Sequence, residues 1–249
     1  MARDRWTPIE RELRKTAGPL IAGVDEVGRG PLAGPVVACA VIMPPDVRAI
    51  RGVDDSKRLT PLARQALAVR IRERALSYGI GAASVREIDR HNIYQATMIA
   101  MRRALARLAV RADHIVIDGT PFRALGIPHT AIVGGDDRCY TIACASILAK
   151  VTRDRVMHAL AGHYPNYRWE RNVGYSTLAH LQGLAAHGVT PHHRRSFIPV
   201  RQLSLDFSIA GPHDVDVKAL AGLLDASGFS LDDPDAGVTD DAARPALND

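Results

Sequence analysis

Ile21-Ala22-Gly23-Val24-Asp25-Glu26-Val27-Gly28-Arg29-Gly30 is a short apolar run that leads into two adjacent carboxylates and then a Gly-Arg-Gly turn. The apolar residues predict a buried strand, and a buried ionised carboxylate is costly unless another group neutralises it. Asp25 and Glu26 therefore suggest a divalent cation. The side chains of adjacent strand residues point to opposite faces of the sheet, so one of these two side chains and a backbone carbonyl would coordinate the cation. Glycine lets the backbone approach a ligand closely. A hard cation beside exposed backbone N–H groups favours the binding of a phosphodiester.

The segments around this run predict an α/β fold with a mixed sheet. Residues 20–27 and 35–43 are apolar runs joined by a Gly/Pro-rich turn, which predicts a hairpin. Later strands alternate with helical patterns, so helices should flank the sheet. We predict further strands at 79–84, 114–118 and 129–133, and helices at 61–78 (capped by Thr60), 85–110 (broken near Asn92), 141–160 and from Ser176 or Thr177 to 186.

Charge is unevenly distributed along the 249 residues. The formal net charge is +5, yet residues 212–249 hold nine aspartates against Lys218 and Arg244. The rest of the chain is therefore more basic than the total suggests. This charge favours a protein that binds a polyanion such as nucleic acid; the alternative is a basic enzyme without such a partner. We predict an N-terminal extension at 1–18, one main domain at 19–211, and an acidic tail at 212–249 with one helix followed by disorder.

Cysteine usage and hydropathy predict a cytoplasmic protein. Cys39, Cys139 and Cys144 lack the short spacings of a disulfide framework and fit a reducing compartment. No apolar run approaches the roughly 18 residues of a membrane span, and the polar N-terminus lacks the apolar segment of a signal peptide. We therefore expect no membrane partner.

Acids follow three separate strands of the predicted sheet: Asp25 with Glu26, then Asp118, then Asp136. Ligands gather at the strand ends of an α/β sheet, so these distant acids can converge; the alternative for each one is a turn former or a helix cap. Carboxylates about 4 Å apart repel by about 4 kcal/mol per pair at an effective dielectric of about 20, so a cluster needs cations or protons. Oxygen-only ligation selects Mg²⁺ or Mn²⁺ over zinc, and two such ions can activate a water and stabilise a leaving oxygen.

Other site chemistries fit the sequence less well. The chain contains neither Cys-x-x-Cys nor His-Glu-x-x-His, which disfavours zinc. Gly28-Arg29-Gly30 and Gly134-Gly135 lack the Lys-Ser/Thr pair of a nucleoside triphosphate loop.

The motif at residues 25–36 closely resembles the opening motif of bacterial ribonuclease HII, the type 2 ribonuclease H. The likeness covers about residues 20–200, in order. It continues through Asp55-Ser56-Lys57-Arg58-Leu59, Ile117-Asp118-Gly119, Gly135-Asp136, the segment 142–154, Gly174-Tyr175-Ser176-Thr177 with His180, and His193-Arg194-Arg195-Ser196-Phe197.

This resemblance implies a ribonuclease H-like fold, with a mixed five-stranded sheet flanked by helices and a helical C-terminal extension. It implies an endonuclease that hydrolyses the RNA strand of RNA–DNA hybrids. The same family incises 5′ of single ribonucleotides in duplex DNA and leaves 3′-hydroxyl and 5′-phosphate ends. Its catalytic, metal-binding acids map onto Asp25, Glu26, Asp118 and Asp136, with Mn²⁺ or Mg²⁺ as the cofactor.

Substrate contacts also follow from the resemblance. Gly28, Arg29 and Gly30 match the element that reads the 2′-hydroxyl, and Tyr175 matches the tyrosine that packs on the junction sugar. The 2′-hydroxyl is the group that separates RNA from DNA locally. Ser146 and Lys150 lie on one helix face, where the alternative to phosphate contact is a row of polar side chains that face solvent. For Lys57 the alternative is a charge on the protein surface with no contact to substrate. Backbone-phosphate contacts are expected from Lys57, Ser146, Lys150, His193 and Arg194.

The chain departs from the family pattern at two positions. Gly134 replaces the lysine often found before Gly-Asp, which removes one expected phosphate contact, and Cys144 stands where alanine is usual. Asp137 directly follows Asp136, but the ten-residue spacing from Asp136 to Ser146 is the family's.

Three other functions compete with this interpretation. A non-catalytic duplex-binding protein would keep the basic body and a vestigial acid cluster. Ribonuclease HIII resembles the chain in its core, but carries an added N-terminal domain and a different residue in place of Arg29. A nuclease that uses the 2′-hydroxyl as nucleophile would need no metal and would leave a cyclic phosphate. We expect the protein to be a monomer.

Overall fold

The computed structural model describes residues 7–122 and 125–202, and this part of the chain contains a mixed sheet of five strands. The order across the sheet is β3-β2-β1-β4-β5. Pairing is antiparallel from β1 to β3 through β2, and parallel from β1 through β4 to β5, which confirms the predicted mixed sheet. The strands are β1 (Ile21–Val27), β2 (Val36–Ile42), β3 (Ser77–Ala83), β4 (His114–Asp118) and β5 (Thr130–Ile132).

Helices precede, follow and separate the strands in the described residues. They are α1 (Pro8–Ala17), α2 (Pro61–Arg74), α3 (Val85–Ala106), α4 (Gly135–Arg138), α5 (Tyr140–His163), α6 (Trp169–Asn172) and α7 (Leu178–His187), with a short 3₁₀ helix at Pro165–Tyr167.

Local sequence signals explain most of the helix boundaries. The Thr60 and Thr177 side chains accept N–H bonds in the first turns of α2 and α7, which confirms both predicted caps. Asn92 interrupts α3 with a φ of 64°, where a break was predicted. The predicted end of α2 at residue 78 is wrong. Ala75 is already extended, with φ −64° and ψ 136°, and the Leu76 N–H pairs with the Ile42 carbonyl to begin β3.

β1 lies at the centre of the sheet between β2 and β4. It pairs with β2 from Ala22 opposite Ile42 to Val27 opposite Val37, which confirms the predicted hairpin. A Cβ atom at Gly23 would collide with the Thr141 backbone. Helix α5 therefore crosses β1 in direct contact, and only glycine permits that approach.

The chain divides into two compact units. Of the described residues, the first unit comprises 7–28, 34–122 and 125–159, and so contains the five-stranded sheet; the second comprises Arg29–Ala33 and residues 160–202. The predicted acidic tail at 212–249 lies outside the described residues. Within the described part, no helix is both long and apolar enough to cross a membrane.

Helix α1 is anchored to the first unit by its only buried residue, Glu10. Thr7 and Glu10 form a reciprocal capping box. The Glu10 carboxylate also accepts from the backbone N–H groups of Tyr140 and Thr141, at 3.1 and 2.8 Å, and from the Thr141 hydroxyl at 2.9 Å. A residue of the predicted N-terminal extension therefore caps the helix that crosses the sheet.

Candidate active site

Asp25 lies in the central strand β1, two residues before its end, and is only 5 % exposed. Its Oδ1 accepts the Glu26 backbone N–H at 2.8 Å, and its carboxylate is hydrogen bonded to the Ser146 side chain. The Ser146 hydroxyl lies 3.0 Å from that of Ser56. Helix α5 and the loop before α2 thus hold Asp25 in place.

The pKa of Asp25 lies well above its ordinary value. Burial is the largest cause, and the neighbouring charges of Glu26, Asp118 and Asp136 add to it. A carboxyl that is both buried and surrounded by like charges favours its protonated form. Asp25 is therefore in a site where a cation would be strongly stabilising.

Asp118 ends β4, which runs parallel to β1. Val24 is opposite Ile117 in the last pair of this register, so Asp25 and Asp118 are the next residues on the two neighbouring strands. Oδ1 of Asp118 accepts the Gly135 N–H at 2.6 Å. A Cβ at Gly135 would lie 3.1 Å from that oxygen and 2.6 Å from Ile142. Burial raises the pKa of Asp118, against the lowering effects of backbone N–H donors and of Lys57.

Asp136 lies in the first turn of the short helix α4. Burial raises its pKa to about 6, with further contributions from Asp118 and Asp55, while Lys57 lowers it. The adjacent Asp137 differs, because it is half exposed and forms an ion pair with Arg58 at 2.9 Å. The two neighbouring aspartates therefore face different environments, and Asp136 is the one whose charge raises the pKa of Asp25.

The acids fit a hard divalent cation by their chemistry. Oxygen donors from separate elements influence one another's protonation, and a bound cation would replace that repulsion with attraction. Among residues 7–122 and 125–202, no group of three or more Asp, Glu, His or Cys side chains is arranged so that it could hold a metal ion.

The predicted phosphate-contact residues of the first unit have different environments. Lys57 is exposed, and its charge lowers the pKa values of Asp118 and Asp136, which places it beside the acids. Ser146 is buried against Asp25 and Ser56. Lys150 is paired with Asp154 at 3.1 Å. Contact of these three side chains with phosphate stays a prediction.

The second unit contains Arg29, Gly30 and Tyr175. Arg194 donates from Nη1 to the Arg29 carbonyl at 2.7 Å, and Leu32 donates its N–H to the Gly174 carbonyl at 2.9 Å. His193 and Arg194 are 1 % and 0 % exposed, not surface groups. Their observed partners are protein atoms, and their contact with phosphate stays a prediction.

Sequence reasoning assigned no role to three buried residues. Glu10 caps α5, and its only local signal is the Thr-x-x-Glu spacing of a capping box. Arg153 is fully buried, donates from Nε to the Pro35 carbonyl at 3.0 Å, and fills the space where a Cβ of Gly28 would lie. His180 was noted only as part of a motif, yet its ring binds the Tyr175 carbonyl at 2.8 Å.

Comparison with known proteins identifies the family of this chain. The family model described as Ribonuclease HII matches residues 22–200. The chain belongs to the ribonuclease HII family. It is 55 % identical to the ribonuclease HII of Dechloromonas aromatica over 187 residues, which are 75 % of this chain and 95 % of the relative. It is 52 % identical to that of Granulibacter bethesdensis over 205 residues, covering 81 % and 94 %.

Membership of the ribonuclease HII family makes this chain a metal-dependent endoribonuclease that acts on the RNA of RNA–DNA hybrids. The crystal structure of ribonuclease H2 from Pyrococcus horikoshii superposes with a TM-score of 0.64 at 28 % identity, covering 76 % of this chain and 99 % of that one. A mutant protein of Bst-RNase HIII superposes at 0.62 with 19 % identity, covering 79 % and 72 %. That second likeness shows a shared fold alone.

Proposed function

We propose that this chain also incises duplex DNA on the 5′ side of single embedded ribonucleotides, leaving 3′-hydroxyl and 5′-phosphate ends. Asp25, Glu26, Asp118 and Asp136 hold Mg²⁺ or Mn²⁺ for this reaction. One observation carries the assignment of the acids: burial raises the pKa values of Asp25, Asp118 and Asp136, which lie on separate elements, and neighbouring acids raise those of Asp25 and Asp136 further. Such repulsion is kept in a folded protein where a cation will relieve it.

The residues of the first unit prepare the site for phosphodiester hydrolysis. A bound hard divalent cation would supply Lewis acidity toward the attacking water and the leaving oxygen. Ser146 and the Glu26 N–H orient Asp25, and the Gly135 N–H orients Asp118. Lys57 supplies a positive charge beside Asp118 and Asp136, where a phosphate would approach. Pre-oriented charges of this kind need little rearrangement during the reaction.

Recognition of the ribonucleotide is assigned to the Gly28-Arg29-Gly30 turn and to Tyr175. Gly28 has a φ of 90°, so its backbone adopts a conformation that side chains disfavour. The carbonyls of Arg29 and Tyr175 are bound by buried side chains, which limits the movement of both segments. A rigid backbone suits the reading of a single hydroxyl group.

The test is a duplex with one ribonucleotide, titrated with Mg²⁺ and separately with Mn²⁺. We expect a single nick that needs divalent cation, with a 3′-hydroxyl on one product and a 5′-phosphate on the other. Asp136→Asn should abolish nicking. Asp137→Asn is the matched control and should keep it, because Asp137 is half exposed and paired with Arg58.

Three outcomes would contradict the proposal. Binding without nicking would indicate a non-catalytic duplex-binding protein. A 2′,3′-cyclic phosphate would indicate attack by the 2′-hydroxyl. Equal loss of activity in Asp136→Asn and Asp137→Asn would overturn the choice between these two acids.

A further inference from the structure

We propose that the buried histidines His180 and His193, with Arg194, are positioning residues for ribonucleotide recognition, because they hold the backbone of Tyr175 and Arg29 through directional hydrogen bonds. This inference rests on the proposed recognition role of Tyr175 and Arg29. It assigns no contact between substrate and the histidines, since His180 and His193 are 0 % and 1 % exposed.

The partners of His180 determine which ring nitrogen carries its proton. Nδ1 lies 2.8 Å from the Tyr175 carbonyl, which can only accept, so Nδ1 must carry the hydrogen. Nε2 is then an acceptor. The Trp169 indole N–H donates to it at 3.1 Å, and it lies 3.0 Å from Nε2 of His193.

The partners of His193 require the opposite tautomer. Its Nδ1 accepts the Thr190 backbone N–H at 3.0 Å, so its proton lies on Nε2 and points at His180. The direction of donation therefore runs from Thr190 to His193, from His193 to His180, and from His180 to the Tyr175 carbonyl. Every bond in this series needs both rings neutral. Burial agrees, because it lowers the pKa of His180 to about 4 and that of His193 to about 2.

Arg194 extends the same support to Arg29. Its backbone N–H binds the Leu32 carbonyl at 2.8 Å, and its Nη1 binds the Arg29 carbonyl at 2.7 Å. The Leu32 N–H in turn binds the Gly174 carbonyl, next to Tyr175. The segments that carry Arg29 and Tyr175 are thus bonded to each other and to one buried group of side chains. A shift in one would be transmitted to the other.

A purely structural role would not require this arrangement. Apolar side chains could fill the same space at similar stability, but they could not fix the Tyr175 carbonyl along one direction. Buried polar networks that are fully satisfied favour one conformation over close alternatives. The direction of the His180 bond is therefore the property to test.

The experiment compares His180→Asn with His180→Gln. Asparagine places an amide N–H near the position of Nδ1 and can still donate to the Tyr175 carbonyl, whereas glutamine places its amide near Nε2 and cannot. Each variant cleaves a duplex with one ribonucleotide and an all-RNA hybrid of equal length. We expect His180→Gln to lower kcat/KM about 10-fold on the single ribonucleotide and about 2-fold on the hybrid. His180→Asn should recover to within about 3-fold of wild type on both.

Proportional losses on both substrates, or equal behaviour of the two variants, would overturn the positioning role. Wild-type protein that fails to nick the single-ribonucleotide duplex would instead overturn the proposed function, so the two failures are distinguishable. If His180→Gln does not fold, ¹⁵N NMR of the wild-type imidazoles decides. Protonation of His180 at Nδ1 and of His193 at Nε2 is expected, and the reverse pair of tautomers would refute the network.

Discussion

Glu10 and Asp25 are both buried carboxylates in the first unit, and both are hydrogen bonded to helix α5, yet their surroundings are opposite. Glu10 is 0 % exposed and receives hydrogen bonds from Thr7, Tyr140 and Thr141. Asp25 is 5 % exposed and accepts from Glu26 and Ser146, but it also faces the charges of other acids.

This difference separates a carboxylate that stabilises the fold from one that is kept for a ligand. Donors around Glu10 compensate the cost of burying its charge. The charges around Asp25 add to that cost and raise its pKa. Burial alone therefore does not distinguish a structural acid from a functional one; the sign of the neighbouring charges does.

Replacement of Asp25 should have the largest effect on activity. Asp25→Asn is expected to lower kcat by about 1,000-fold or more, because a metal ligand is lost. The same change removes one of the repelling charges, so the free energy of unfolding without divalent cation should stay equal or increase. Single-turnover cleavage and urea denaturation in EDTA measure the two effects. A kcat near that of wild type, or marked destabilisation in EDTA, would contradict the interpretation of Asp25 as a carboxylate kept for a ligand.

Replacement of Glu10 should show the reverse pattern. Glu10→Gln directs an amide N–H group at the donors of Tyr140 and Thr141, so we expect about 2 kcal/mol lower free energy of unfolding. Cleavage by the folded fraction at low temperature should remain near that of wild type. Glu12→Gln is the control, since Glu12 is exposed and should change stability by less than about 0.5 kcal/mol. Equal destabilisation by both changes would show that Glu10 contributes nothing specific.

The pH dependence of stability should report the raised pKa values of the acids around Asp25. The folded-state pKa of Asp136 is about 6, and burial also raises those of Asp25 and Asp118. The folded protein therefore binds more protons than the unfolded chain between about pH 4 and pH 6, and these acids make stability fall as pH rises through that range. Urea midpoints in EDTA should fall less steeply with pH in Asp25→Asn than in wild type. Parallel profiles would argue against raised pKa values, and added Mg²⁺ should restore stability at the high-pH end.

Replacement of Lys57, the positively charged side chain beside the acids, should have the smallest effect. Lys57→Gln removes a charge that lowers the pKa values of Asp118 and Asp136. The acidic limb of the pH–rate profile should therefore shift upward, by less than one pH unit. Arg58→Gln is the matched control, because Arg58 pairs with Asp137, and its profile should stay in place. An equal shift in both variants would indicate only a general change of surface charge.

Local patterns in the sequence were sufficient to predict the mixed sheet and the strands that carry Asp25, Glu26 and Asp118, but not the short helix α4 that carries Asp136. Strand runs, the Thr60 and Thr177 caps and the break at Asn92 depend on neighbours a few residues away, so they can be identified without a structure. The end of α2 could not, because Ala75 and Leu76 suit either a helix or a strand. Pairing with Ile42 of β2 decides in favour of the strand.

The residue types and spacing in the sequence led to the prediction of which carboxylates bind a cation, since acids that follow buried apolar runs are costly unless a cation neutralises them. Partners far apart in the chain determined what the remaining polar residues do. Glu10 finds its donors 130 and 131 residues away, and Arg194 binds a carbonyl 165 residues away. The physical reason is that the energy of a charge or a hydrogen bond depends on burial and on what faces it. Folding creates both of these conditions, and neither is encoded in a short stretch of residues.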